Sequence, residues 1–143
     1  MNKFWDKYRR CSRQTVCVVG ILVLSAKLSI ADGNFSEEEE EEILKNLPHD
    51  PKQHSALKRI LEEGINDKLS IEEDARIIKN ILGTLNSDLL EFIVAVLIRI
   101  CKADGIFSKS EKENILIICK EFEIDPGWSL QRITNQFKRK VEA

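Results

Sequence analysis

The chain has 143 residues, 43% of them hydrophobic and 32% charged, with three prolines and six glycines. That length supports a single hydrophobic core, and a composition rich in Glu, Lys, Ile and Leu favours helix over sheet. A formal net charge of −2 offers no basic footprint, which argues against a nucleic-acid partner.

Residues 1–14 gather Lys3, Lys7, Arg9, Arg10 and Arg13 with Phe4, Trp5 and Tyr8. They read as a basic aromatic segment placed before one helical domain at residues 15–143. The apolar run at 15–26, with Ser25-Ala26 behind it, imitates a secretory signal peptide. Cleavage there would remove a helix that the rest of the chain repeats, so the run reads as a core helix. It is also shorter than the roughly 20 apolar residues of a membrane span. Peripheral contact of residues 1–14 with an anionic membrane surface stays an alternative.

The apolar helix reaches Ala31-Asp32-Gly33, and glycine past a helix end enters the left-handed region without a Cβ clash. Ser36 and Glu39 then have the spacing of a capping box, with Phe35 at the staple position, opening a helix over 36–47. Glu37, Glu38, Glu39, Glu40, Glu41 and Glu42 are consecutive; they suit the positive end of the helix dipole but repel one another. Pro48, His49, Asp50 and Pro51 break the chain, and the His49 and His54 pair reads as surface loop.

Leu57, Ile60, Leu61 and Ile65 predict a helix over about 53–66, ending near Gly64 or Asn66. Ser70 and Glu73 open the next, with Ile71, Ala75, Ile78, Ile81 and Leu82 as its stripe and Gly83 at its end. The most apolar helix follows at Leu89–Ala103, expected as the buried centre and paired with 16–31. A helix at about 109–122 comes after a second turn. Asp125-Pro126 would start a last one reaching Lys140, docking through Trp128, Leu130, Ile133 and Phe137. The fold class is therefore all-α, about seven helices in one bundle.

Residues 31–44 recur at 103–116 with a constant offset of 72. Ala31, Asp32, Gly33, Phe35, Ser36, Glu39, Glu41, Ile43 and Leu44 match Ala103, Asp104, Gly105, Phe107, Ser108, Glu111, Glu113, Ile115 and Leu116. An internal helix-turn-helix duplication is the simplest source of such a match. An apolar helix entering Ala-Asp-Gly, then two residues, Ser, two residues and Glu resembles the signature of TerB-like domains. That family takes its name from tellurite-resistance proteins and occurs also beside a membrane-anchored DnaJ-type co-chaperone. The resemblance extends over about residues 16–141. It implies an all-helical domain, divalent-cation binding through acidic residues, and a place in stress or phage-defence assemblies.

Read as half of a calcium loop, Asp32, Gly33, Ser36 and Glu39 would occupy positions 5, 6, 9 and 12. The first half fails, because Leu28 and Ile30, or Ile100 and Lys102 in the second copy, supply no carboxylate. One turn alone cannot enclose a hard cation needing six to eight oxygens. Asp32, Glu39, Asp104 and Glu111 pooled from two turns are the candidate metal ligands, for a cation of the Ca2+ or Mg2+ class. The competing reading makes these residues caps and turn formers only. Under it, Glu37, Glu38, Glu40, Glu41 and Glu42 form the docking patch of a metal-free adaptor or co-chaperone-type domain.

Cys11, Cys17, Cys101 and Cys119 form no Cys-x-x-Cys pair, and Cys101 and Cys119 lie in apolar runs. Such usage is that of a reducing compartment, hence a cytoplasmic expectation. No nucleophile, base and orienting group stand at a recognisable spacing, and no phosphate loop or cofactor fingerprint is present, so a non-enzymatic protein-binding role is expected. Neither the protein partner nor the oligomeric state is specified by the sequence.

Overall fold

Seven α-helices and one 3-10 turn, with no strand among them, are formed by residues 3–30, 36–47, 49–83, 87–102 and 108–124, those that the computed structural model describes. The helices are α1 (Lys3–Asp6), α2 (Arg13–Ile30), α3 (Glu37–Asn46), α4 (His54–Asn66), α5 (Ile71–Leu82), α6 (Ser87–Lys102) and α7 (Lys109–Glu121). The 3-10 turn spans Pro51–Gln53. Helices α2 to α7 fall where periodicity and caps place them. The short α1 is additional, and the helix expected at 126–140 lies outside the described residues.

The duplication is structural as well as sequential. Helices α3 and α7 begin at positions separated by the repeat offset, one residue after Ser36 and Ser108. Helix α3 packs on α2 and also on α6, while α7 packs on α6 and also on α2, so each capped helix touches the apolar helix of the other copy. Helices α4 and α5 cover α2, and α7 packs on α5.

Helix α2, rather than α6, is the buried centre. From Val16 to Leu28 every residue but Val18 is buried. It is long and apolar enough, by length and composition, to cross a membrane, and here most of it is enclosed by the other helices. The run at 15–26 underestimated that length, because the helix begins in polar residues at Arg13 and continues through Lys27 to Ile30. Full burial of a Leu such as Leu22 or Leu24 contributes about 1.5–3 kcal/mol. Helix α6 keeps an outer face, where Phe92 is 54% exposed.

Two glycines serve different ends. Gly83 closes α5 with φ of 81° and ψ of 163°, outside the left-handed helical cap but in a positive-φ region that glycine adopts without a Cβ clash. Gly64 does not end α4; it lets that helix press on α2, since a Cβ there would sit 2.7 Å from Val23 Cγ2.

Candidate functional site

The two turns are followed by the same local construction. Ser36 Oγ accepts from the Glu39 N–H at 3.1 Å, and Ser108 Oγ accepts from the Glu111 N–H at 3.1 Å. In the second copy the box is closed, because the Ser108 N–H donates to Glu111 Oε1 at 3.0 Å. In the first, Ser36 Oγ also lies 3.3 Å from Glu39 Oε1. The Glu111 carboxylate therefore satisfies a backbone donor that a helix start leaves unpaired, whereas the Glu39 carboxylate meets only the Ser36 hydroxyl. Asp32 and Asp104 lie outside the described residues. Among the described residues, no group of three or more His, Cys, Asp or Glu is arranged to hold a metal ion.

The glutamate run divides by helical geometry. Glu37, Glu38 and Glu41 are exposed and Glu42 is half-buried. Glu40 points inward and is 7% exposed. Burial pushes its carboxyl above the usual carboxylate range, Glu62 adds to the shift, and Lys58, 3.8 Å away, opposes it. Among the described residues its Oε1 has no hydrogen-bond partner. Glu37, Glu38, Glu41, Glu42, Leu44, Lys45, His49 and His54 line an open groove of about 700 Å³. The two histidines, read from sequence as loop, thus share a wall with the acidic helix. Their Nε2 (His49) and Nδ1 (His54) atoms are 3.1 Å apart.

A second polar cluster is buried. Lys27 on α2 is 9% exposed and Asp74 on α5 is fully buried; they form an ion pair. The Lys27 ammonium also donates to the Leu69 carbonyl at 2.6 Å and lies 3.5 Å from Asp67 Oδ2. Trp5 of α1, itself fully buried, donates its indole N–H to Asp74 Oδ1 at 2.9 Å. Burial pushes the Asp74 carboxyl up to about 6, while the hydrogen bonds from Lys27 and Trp5 pull it down. Beside the cluster, Phe4, Lys7, Asp67, Leu69, Glu73 and Ile77 are among the residues lining an open groove of about 1010 Å³.

Sequence reading missed this cluster, although a signal was there. Asp74 interrupts the apolar stripe between Ile71 and Ile78, and Lys27 interrupts an otherwise apolar helix. Within the N-terminal segment 1–14, read from the sequence as placed before the helical domain, Phe4 and Trp5 join the core and Lys7 is tied to Glu63 at 2.6 Å. The four cysteines form no disulfide with one another, and burial pushes the Cys119 thiol up to about 11, as suits an inert core residue.

A family model described as "Tellurite resistance protein TerB" matches residues 19–131. No curated protein and no solved structure matches. The matched span runs from α2 through α7 and includes both turns.

Proposed function

The chain belongs to the tellurite resistance protein TerB family, and from that premise we propose that it is a non-enzymatic helical module of a stress-response assembly, docking a basic protein segment on α3. The observation that carries this reading is the split of the glutamate run. Glu39 is engaged at the cap and Glu40 faces inward, whereas Glu37, Glu38 and Glu41 are exposed along an open groove. Three exposed carboxylates on one helix cost stability by mutual repulsion, and a basic partner would remove that cost while gaining charge complementarity. We place the activity in the cytoplasm, in keeping with four cysteines that are not joined in disulfides.

The test is binding of a synthetic Lys/Arg-rich peptide to the full chain across a NaCl series. Reversal of Glu37, Glu38 and Glu41 to Lys is expected to weaken binding at least tenfold. Reversal of three exposed carboxylates elsewhere, Glu72, Glu113 and Glu123, is expected to weaken it much less. Equal losses would reduce the effect to net charge and dismiss the docking site.

A second reading, weak divalent-cation binding at Asp32, Glu39, Asp104 and Glu111, is favoured by the recurrence of the Ser-Glu cap with the same bond length in both copies. Each capping carboxylate stands near a turn that also carries an Asp, and hard cations prefer such oxygen donors. Saturating Ca2+, Mg2+ or Mn2+ at 100 times Kd is expected to add about 2.7 kcal/mol, several degrees in Tm. Asp32→Asn is expected to abolish the rise at the first turn. An unchanged Tm with all three ions would leave both glutamates as caps alone.

A further inference from the structure

We propose that His49 and His54 form a two-histidine site for a borderline divalent transition cation of the Zn2+, Ni2+ or Cu2+ class, in the groove that the α3 carboxylates also line. His49 Nδ1 lies 2.6 Å from the Leu47 carbonyl oxygen, which can only accept, so that nitrogen carries the hydrogen and Nε2 keeps its lone pair. His49 Nε2 faces His54 Nδ1 at 3.1 Å. On the far side of the His54 ring, Nε2 is 3.7 Å from Glu41 Oε2, again an acceptor.

The His49 ring is oriented by its hydrogen bond to a backbone carbonyl, the kind of partner that orients and strengthens a metal-binding histidine, and its free nitrogen meets that of His54. Glu41 stands behind the His54 ring, a few tenths of an ångström beyond hydrogen-bond distance, where a small side-chain movement would give that ring a carboxylate partner. Two nitrogens each about 2.1 Å from a tetrahedral Zn2+ are about 3.4 Å apart, so the nitrogens need separate by only a few tenths of an ångström while the rings turn to aim both lone pairs at the cation. In the metal-free protein the neutral His54 ring carries its hydrogen on Nδ1 and donates it to His49 Nε2, since two lone pairs cannot face each other at that distance. A cation takes the place of that hydrogen, which moves to His54 Nε2 on the side of Glu41, while the His49 contact to Leu47 persists.

The surroundings favour a dication. Glu37, Glu38, Glu41 and Glu42 line the same groove, against Lys45 within it and Lys58, 3.9 Å from Glu41. The open groove leaves the remaining coordination positions to water, and two imidazoles without a third protein ligand give a modest affinity. Imidazole nitrogen selects Zn2+, Ni2+ and Cu2+ over Ca2+ and Mg2+, which separates this site from any at the Asp turns. It rests neither on the docking reading nor on the turns.

The experiment is calorimetric titration of the untagged full chain with ZnCl2, with CoCl2 absorption bands as a second reading of nitrogen ligation. One Zn2+ per chain is expected, with affinity falling at least tenfold in His49→Ala and in His54→Ala and about tenfold in Glu41→Gln. Asp32→Asn and Cys11→Ser are expected to leave it unchanged. His54 is partly exposed, so His54→Gln supplies the comparison if His49→Ala fails to fold by circular dichroism. Absence of binding to the native chain, or binding that survives in folded His54 variants or is lost in Cys11→Ser, would overturn the site.

Discussion

Asp74→Ala is expected to destabilise the protein by about 3–5 kcal/mol in urea unfolding at pH 7, since it strands the Lys27 ammonium in the core with one buried partner removed. Asp67, 3.5 Å away, and the Leu69 carbonyl offset part of that loss. The triple change Trp5→Phe, Lys27→Met, Asp74→Leu removes the buried ion pair and its indole donor together, leaving Asp67 and the Leu69 carbonyl at its edge. It is expected to recover most of the stability, because desolvating a buried pair costs nearly as much as the pair returns. A triple variant no more stable than Asp74→Ala would mean that packing, not stranded charge, causes the loss.

The same group gives a pH dependence with a definite sign. Asp74 titrates near 3.8 when unfolded and at about 6 when folded, so between those values the folded state holds more protons. Stability from this group therefore rises as pH falls from about 6 towards 4, and declines as pH rises through 6. Glu40, also raised by burial, acts in the same direction. Glu121, held below the usual range by its hydrogen bond from Arg76, acts oppositely, but on an exposed pair of little weight. The stability of the native chain relative to Asp74→Asn is expected to increase between pH 7 and pH 5. No change in that difference would show that Asp74 is not held up by its burial.

Trp5→Ala is expected to cost about 3–5 kcal/mol, the range for a fully buried large aromatic. Trp5 packs edge-on against Phe4 with centroids 5.2 Å apart, and its N–H satisfies one oxygen of Asp74. Trp5→Phe keeps most of the packing and removes only that donor, for a loss of about 1–3 kcal/mol. Because Trp5 and Asp74 share one hydrogen bond, the losses of Trp5→Ala and Asp74→Ala should add to less than their sum. A loss below about 1 kcal/mol for Trp5→Ala would make residues 1–14 an appendage and revive the reading of a leader free to meet a membrane.

Local signals in the sequence determined a good deal. The Ser36, Ser70 and Ser108 caps, the stop at Gly83 and the turn motif repeated at an offset of 72 are each written in short-range patterns, since a cap or a turn involves residues three or four apart. The TerB resemblance rested on those same turns, and the family match agrees with it. What tertiary structure alone decided was which like residues meet different surroundings. Leu44 and Leu116 occupy matching positions, yet the first is fully buried and the second 42% exposed. Lys27 is buried against Asp74, while its counterpart Arg99 is exposed. Two copies of one motif cannot share one environment in a single bundle: α3 packs against α2, α4 and α6, and α7 against α5, α6 and α2. For the same reason Trp5 and Asp74, 69 residues apart, and the facing rings of His49 and His54 became legible only once the helices were packed.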